Sequence, residues 1–222
     1  MKYKNLTEKV YQILKKDIVN MNIQPGTKIQ LDKIAEELEV SKTPVREAVN
    51  MLSMDGLVEV KPQSGTYVIE LNQKDIKHIY QVRKALEKLA IELSFSKIND
   101  ENIKALESIN NKCLKLYEEE KYEEFVSEDE RFHNTIFEIT QNKYLITSYN
   151  AIRDKLFYLK MAGLVIPKSI LESIKAHQKI IKTFKEKDLE KAKHEMKSHV
   201  EKVKKHSLKV HNIYNNKRGE KK

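Results

Sequence analysis

The chain has 222 residues, enough for one large domain or two small ones, and its 34% charged residues with only five Gly and four Pro favour a mostly helical protein. A single cysteine excludes an internal disulfide, and no leader-like N-terminus or bilayer-length apolar run is visible, so the expectation is a cytoplasmic protein with no membrane partner. The net charge of +9 tempts one towards nucleic acid, but residues 1–70 hold ten basic and ten acidic side chains and the whole excess lies beyond them.

In chain order, the first predicted helix covers 6–21, with Val10, Ile13, Leu14 and Ile18 facing inward. Pro25-Gly26 turns the chain into a short second helix whose apolar face is Leu31, Ile34, Ala35 and Leu38. Val40-Ser41 breaks that pattern. Ser41 and Thr43 are good N-cap residues, and Pro44 is tolerated in a first helical turn. A third helix follows, with Val45, Ala48, Val49 and Leu52 inward and Lys42, Arg46 and Asn50 outward, until Gly56 stops it. Two short alternating segments, 57–61 and 66–71, flank Pro62-Gln63-Ser64-Gly65 and read as a hairpin. Together these pieces spell a winged helix-turn-helix, with the third helix in a DNA major groove and the hairpin as the wing. The expected contacts to double-stranded operator DNA are Ser41, Lys42, Thr43 and Arg46 at the helix start, where backbone N–H groups also point outward, and Gln63, Ser64, Gly65 and Thr66 on the wing.

A boundary falls at 71–72. From there six amphipathic helices are expected, over 73–97, 100–119, 122–140, 143–163, 167–185 and 188–214, long enough for an antiparallel all-α bundle. The fold class is therefore mainly α: a winged helix-turn-helix over 1–71, a helical domain over 72–214, and a basic, solvated, disordered tail over 215–222. Cys113 lies on a helical pattern and reads as small-apolar packing.

Several ionisable residues interrupt the apolar stripes of this bundle. Asp129 and His133, four apart, share the side marked by Phe125, Phe132 and Ile136. His177 and His199 stand where leucine is expected, with His206 one heptad beyond His199. Burying polar groups costs several kcal/mol unless they are paired or coordinated. Hydrogen-bonded core histidines and a divalent metal site, zinc being the natural guess, both remain open from the pattern alone.

The residues SKTPVREAV, then DGLVEVKPQSGTYV, with IQPGTKIQLDKIAEEL upstream, resemble the DNA-binding domain of the GntR family of bacterial transcription regulators. One departure is Lys42, which stands where that family usually has arginine and lacks its bidentate fork. Asp129-Glu-Arg-Phe132-His133, then Asn142, AHQKII and AKHEMKSHV, resemble the FCD effector-binding domain of one GntR branch, and a count of six helices is nearer its VanR-like subgroup. That resemblance implies a metal held by Asp129, His133, His177 and His199, with zinc first and nickel or manganese as alternatives, and it places His206 second to His199. It also implies a small organic acid as effector. Arg83, in the R-x-x-L-E pattern, is the candidate clamp, with Arg153 weaker and a plain salt bridge from Arg83 to Glu87 as the alternative. Asn142 reads as a helix cap. The function so implied is a ligand-responsive repressor, not an enzyme, acting as a homodimer because operators pair half-sites by two-fold symmetry. Two rivals are a metal-independent regulator of the same family and a metal-dependent hydrolase with a DNA-binding appendage. The second leaves the winged segment without a role.

Overall fold

The computed structural model describes residues 2–164 and 166–219, with side chains for 6–164, 166 and 168–213. It divides into two compact units, Met1–Leu71 and Asn72–Lys222.

The first unit contains α1 (Lys2–Val19), α2 (Leu31–Glu37), α3 (Lys42–Met54), β1 (Val58–Lys61) and β2 (Gly65–Val68). Its core joins Val10, Leu14 and Ile18 of α1 to Val45, Ala48, Val49 and Leu52 of α3, closed by Leu57, Val58 and Val68. Each large aliphatic buried there contributes about 1.5–3 kcal/mol. Ile13 departs from expectation: it is 43% exposed, because Val10, Leu14 and Ile18 already define the buried ridge and Ile13 lies a quarter-turn off it. Thr7 donates to Glu47 at 2.7 Å, tying α1 to α3.

The strands pair antiparallel, Val58 with Val68 through Lys61 with Gly65, around a three-residue loop whose Gln63 has φ 59°. Gly65 earns its place doubly. Its φ is +129°, and a Cβ there would stand 2.7 Å from Lys28 Cε. The expected second strand, 66–71, thus begins one residue earlier and ends at Val68.

The second unit is a helical bundle of α4 (Gln73–Phe95), α5 (Asp100–Glu118), α6 (Tyr122–Ile139), α7 (Lys143–Gly163), α8 (Pro167–Lys185) and α9 (Leu189–Gly219). Capping boxes at Asn72/Asp75 and Asn99/Asn102 start α4 and α5, and the Asn142 side chain caps α7. With glycine scarce, single left-handed residues, Glu120, Gln141 and Lys187, close the turns after α5, α6 and α8. Helix α9 lies along α4 and α8, α5 packs on α6 and α8, and α6 touches α4 and α7. The expected disordered tail over 215–222 needs correcting only in part: α9 continues through residues 215–218 to Gly219, and residues 220–222 lie outside the described residues. No proline or glycine interrupts the ladder earlier, and side-chain charge alone does not unwind a helix that is already nucleated. Cys113 is fully buried, and burial pushes its thiol up, which suits packing rather than redox chemistry.

Candidate functional site

Two regions carry chemistry, one in each unit. At the start of α3, Ser41 is an extended N-cap residue whose side chain caps nothing. The cause is local: the third helical residue is Pro44, which has no N–H to offer. The Ser41 hydroxyl and the first-turn amides therefore stay available. Lys42 Nζ sits 2.9 Å from Asp32 on α2, a surface pair that holds it only weakly. Arg46 is exposed one turn on, with no protein partner among the described residues. On the wing, Gln63 and Ser64 are exposed, while Gly65 and Thr66 are half-buried. Ser64 Oγ lies 2.7 Å from Tyr67 Oη, and the amines of Lys61 and Lys28 stand 5.0 and 5.9 Å from the Tyr67 ring centre. Neither lysine was singled out from the sequence; their convergence appears only when Lys28 pairs with Tyr67 across an isolated bridge.

In the bundle, α6 supplies Asp129 and His133, α8 supplies His177 and α9 supplies His199, and all four are at most 2% exposed. One nitrogen from each histidine lies within 4.8 Å of the other two. His199 Nε2 is 3.4 Å from His133 Nε2, and Asp129 Oδ1 is 3.7 Å from His177 Nε2. The Phe132 ring stacks on His177 at 3.9 Å and 8°, fixing the plane of that imidazole. Both nitrogens of His177, and Asp129 Oδ1, are buried without a hydrogen-bond partner. Burial lowers all three histidines, His177 to about 3, so each is neutral near pH 7 with a lone pair to give.

Charged neighbours complete the site. Arg83, fully buried on α4, donates through Nε to Glu87 Oε1 at 3.1 Å and through Nη2 to His133 Nε2 at 2.9 Å, while its Nη1 has no partner. Burial opposes charge on both members of the pair, yet Glu87 holds Arg83 ionised. His133 Nδ1 lies 2.9 Å from Glu87 Oε1 but off the hydrogen-bond direction, so that contact is electrostatic. From α7, Lys160 Nζ meets Asp129 Oδ2 at 2.6 Å and also Glu130, which in turn accepts from Tyr149 Oη at 3.2 Å. Burial, the largest single influence, works to raise the Asp129 carboxyl; the Lys160 ammonium together with His177, His133 and His199 outweighs it and holds the carboxyl well below the usual carboxylate range. A cleft of about 50 Å³, room for a few waters, reaches Asp129 and Lys160 from between α6, α7, α8 and α9.

The structure thus brings Asp129, His133, His177, His199 and Arg83 together. It does not bring Arg153 there: that side chain is 39% exposed and engages Asn150 and Asp154, two helical turns before Lys160. His206 also stays out, bonded to Glu172 at 2.9 Å beside the cleft. Lys160, Glu130 and Tyr149 were missed from the sequence. The one available signal is that Lys160 interrupts the apolar run of α7 between Leu159 and Met161, both buried.

A winged helix-turn-helix joined to a helical unit with a buried polar centre defines the class as a DNA-binding transcription regulator. Residues 6–68 match the description "Bacterial regulatory proteins, gntR family" and residues 78–202 match the FCD domain. The chain belongs to the GntR family, in its FCD branch, and is a DNA-binding transcriptional regulator rather than an enzyme. It is 27% identical to the HTH-type regulator YdhC of Bacillus subtilis, over 85% of each chain. It is 24% identical to the HTH-type transcriptional repressor RspR of Escherichia coli, over 89% of this chain and 87% of that one. Among solved structures, E. coli McbR/YncC shares the fold with a TM-score of 0.75 at 23% identity, covering 94% of this chain and 98% of that one. No helix among the described residues is long and apolar enough to cross a membrane.

Proposed function

We propose that the chain is a homodimeric repressor, of the VanR-like subgroup, whose operator affinity is set by a small carboxylate effector bound beside a divalent metal, zinc first. Asp129, His133, His177 and His199 would hold the metal, which would supply a positive centre for an anion; nickel or manganese fits the same mixed set. The observation that carries this reading is the set of orphaned buried atoms, His177 Nε2 and Asp129 Oδ1, facing one another at 3.7 Å. Unmet buried polar atoms cost about 1–3 kcal/mol each, and coordination relieves them.

Formal charge supports an anionic effector. Three interior carboxylates, Asp129, Glu87 and Glu130, face two cations, Arg83 and Lys160, a balance of −1. A divalent metal takes it to +1, and one carboxylate ligand restores neutrality. Arg83 clamps that ligand; Ser41, Lys42, Thr43 and Arg46, with the wing residues Gln63, Ser64, Gly65 and Thr66, read the operator. Two recognition helices related by a two-fold axis span paired half-sites, which is the argument for the dimer. Effector control requires two conformations with different effector affinity.

A metal-independent regulator is the second reading, favoured by one observation: Lys160 already neutralises Asp129. Metal analysis of protein purified without chelator decides between them. His177→Ala is expected to lose bound metal and effector response while still binding DNA. Unchanged metal content in that variant overturns the ligand set, and absence of any metal from the wild type leaves the second reading.

A further inference from the structure

We infer that the Arg83 guanidinium and the metal compete for one lone pair, that of His133 Nε2, so that Arg83 gates metal loading. This rests on the metal reading above. A guanidinium carries only donors, so the 2.9 Å contact from Arg83 Nη2 makes His133 Nε2 the acceptor. The His133 proton then sits on Nδ1, the side facing the Glu87 carboxylate at 2.9 Å. This is the tautomer in which Nε2 is free to coordinate a metal, with a carboxylate behind the opposite nitrogen. One lone pair serves one partner.

The location agrees with the chemistry. His199 Nε2 lies 3.4 Å from the same His133 nitrogen. Ligand nitrogens about 2.0–2.1 Å from one tetrahedral ion stand about 3.3 Å apart, so an ion between these two histidines meets the guanidinium as a like charge. Loading therefore requires Arg83 to swing off Nε2. Its Nε–Glu87 bond at 3.1 Å is the pivot, and the bond that breaks is the one from Nη2 to His133. Lys160 is no such competitor, because it bonds Asp129 Oδ2 and leaves Oδ1 open. A displaced guanidinium presents an unpaired fork, the geometry that holds a carboxylate. Metal and anion are then coupled through one side chain: whatever draws Arg83 away tightens metal binding, and metal loading tightens anion binding by the same factor.

The test is zinc affinity of the full-length, metal-stripped protein, read by competition with a chromophoric chelator. Arg83→Met is expected to bind zinc about tenfold tighter or more, as follows from removing a charged hydrogen bond on the ligand atom. That variant leaves Glu87 buried without its partner, so Arg83→Lys is measured beside it; lysine keeps a charge for Glu87 but loses the fork that reaches His133. It too is expected to bind zinc more tightly than the wild type. Wild type that binds zinc, with neither variant binding it more tightly, overturns this inference alone. Wild type that binds no zinc overturns the metal reading and this inference with it.

Discussion

Lys160→Met separates the charge of the α7 lysine from its packing. The methionine keeps the apolar stem, while Asp129 loses the ammonium at 2.6 Å and Glu130 keeps only Tyr149. Lys160 is 9% exposed, so the pair it makes with Asp129 is an interior one. Removing one partner of a buried pair costs about 3–5 kcal/mol because the other charge is stranded. Taking about 3 kcal/mol, and about 2–4 °C per kcal/mol for a unit of this size, the bundle transition falls by about 6–12 °C in excess chelator. Zinc then acts differently on the two proteins. In the variant the ion supplies the positive charge that Asp129 lacks, so saturating zinc raises the transition further in Lys160→Met than in wild type. Scanning calorimetry with chelator and with zinc reads both quantities. Equal zinc-induced shifts in the two proteins, or no loss of stability in chelator, refute the reasoning.

Arg46→Ala is expected to lower specific operator affinity by about 1–3 kcal/mol, tenfold or more, with the fold intact by circular dichroism; unchanged affinity in a binding titration sinks the recognition-helix assignment. Acid should weaken the bundle. His133, His177 and His199 have folded pKa values below 6.5, so below pH 6.5 the unfolded chain takes up protons first. The His177 contribution is complete above pH 6.5 and is lost as pH falls towards about 3, and those of His133 and His199 are lost in the same sense as pH falls below 6.5. His177 alone loses about 1.4 kcal/mol per pH unit in that window. Burial raises Glu87, which acts in the opposite sense at lower pH. Denaturant unfolding in chelator at pH 7.5 and 5.5 checks this, and equal stability at the two values contradicts it.

Much of the architecture follows from local rules. Residues 31–68 show their helix, turn, helix and hairpin because Pro44, Gly56, Pro62 and Gly65 punctuate them at positions where backbone geometry leaves few options. The bundle helices show themselves by apolar spacing and by breakers such as Asn99, Asn142 and Pro167. Asp129, His133, His177 and His199 stand out for the same reason, as polar residues on apolar stripes. Ile13 and residues 215–219 mark the limit: an apolar residue near a stripe need not be buried, and a charged run need not unwind.

What the sequence by itself determined is the set of elements and the residues facing inward on each, since periodicity is a property of a single helix. The tertiary structure decided which inward residues meet. Lys160 reads as one more lysine until α7 lies beside α6 and sets its ammonium on Asp129. Arg83 reads equally well as a surface salt bridge to Glu87 or as a ligand clamp, until packing buries the pair and points the guanidinium at His133. Arg153, on the same helix as Lys160, stays at the surface. Such pairings depend on the relative rotation and depth of neighbouring helices, which no spacing within one helix encodes, and in this chain they are what turn four ligand candidates into a charged, partly unsatisfied centre.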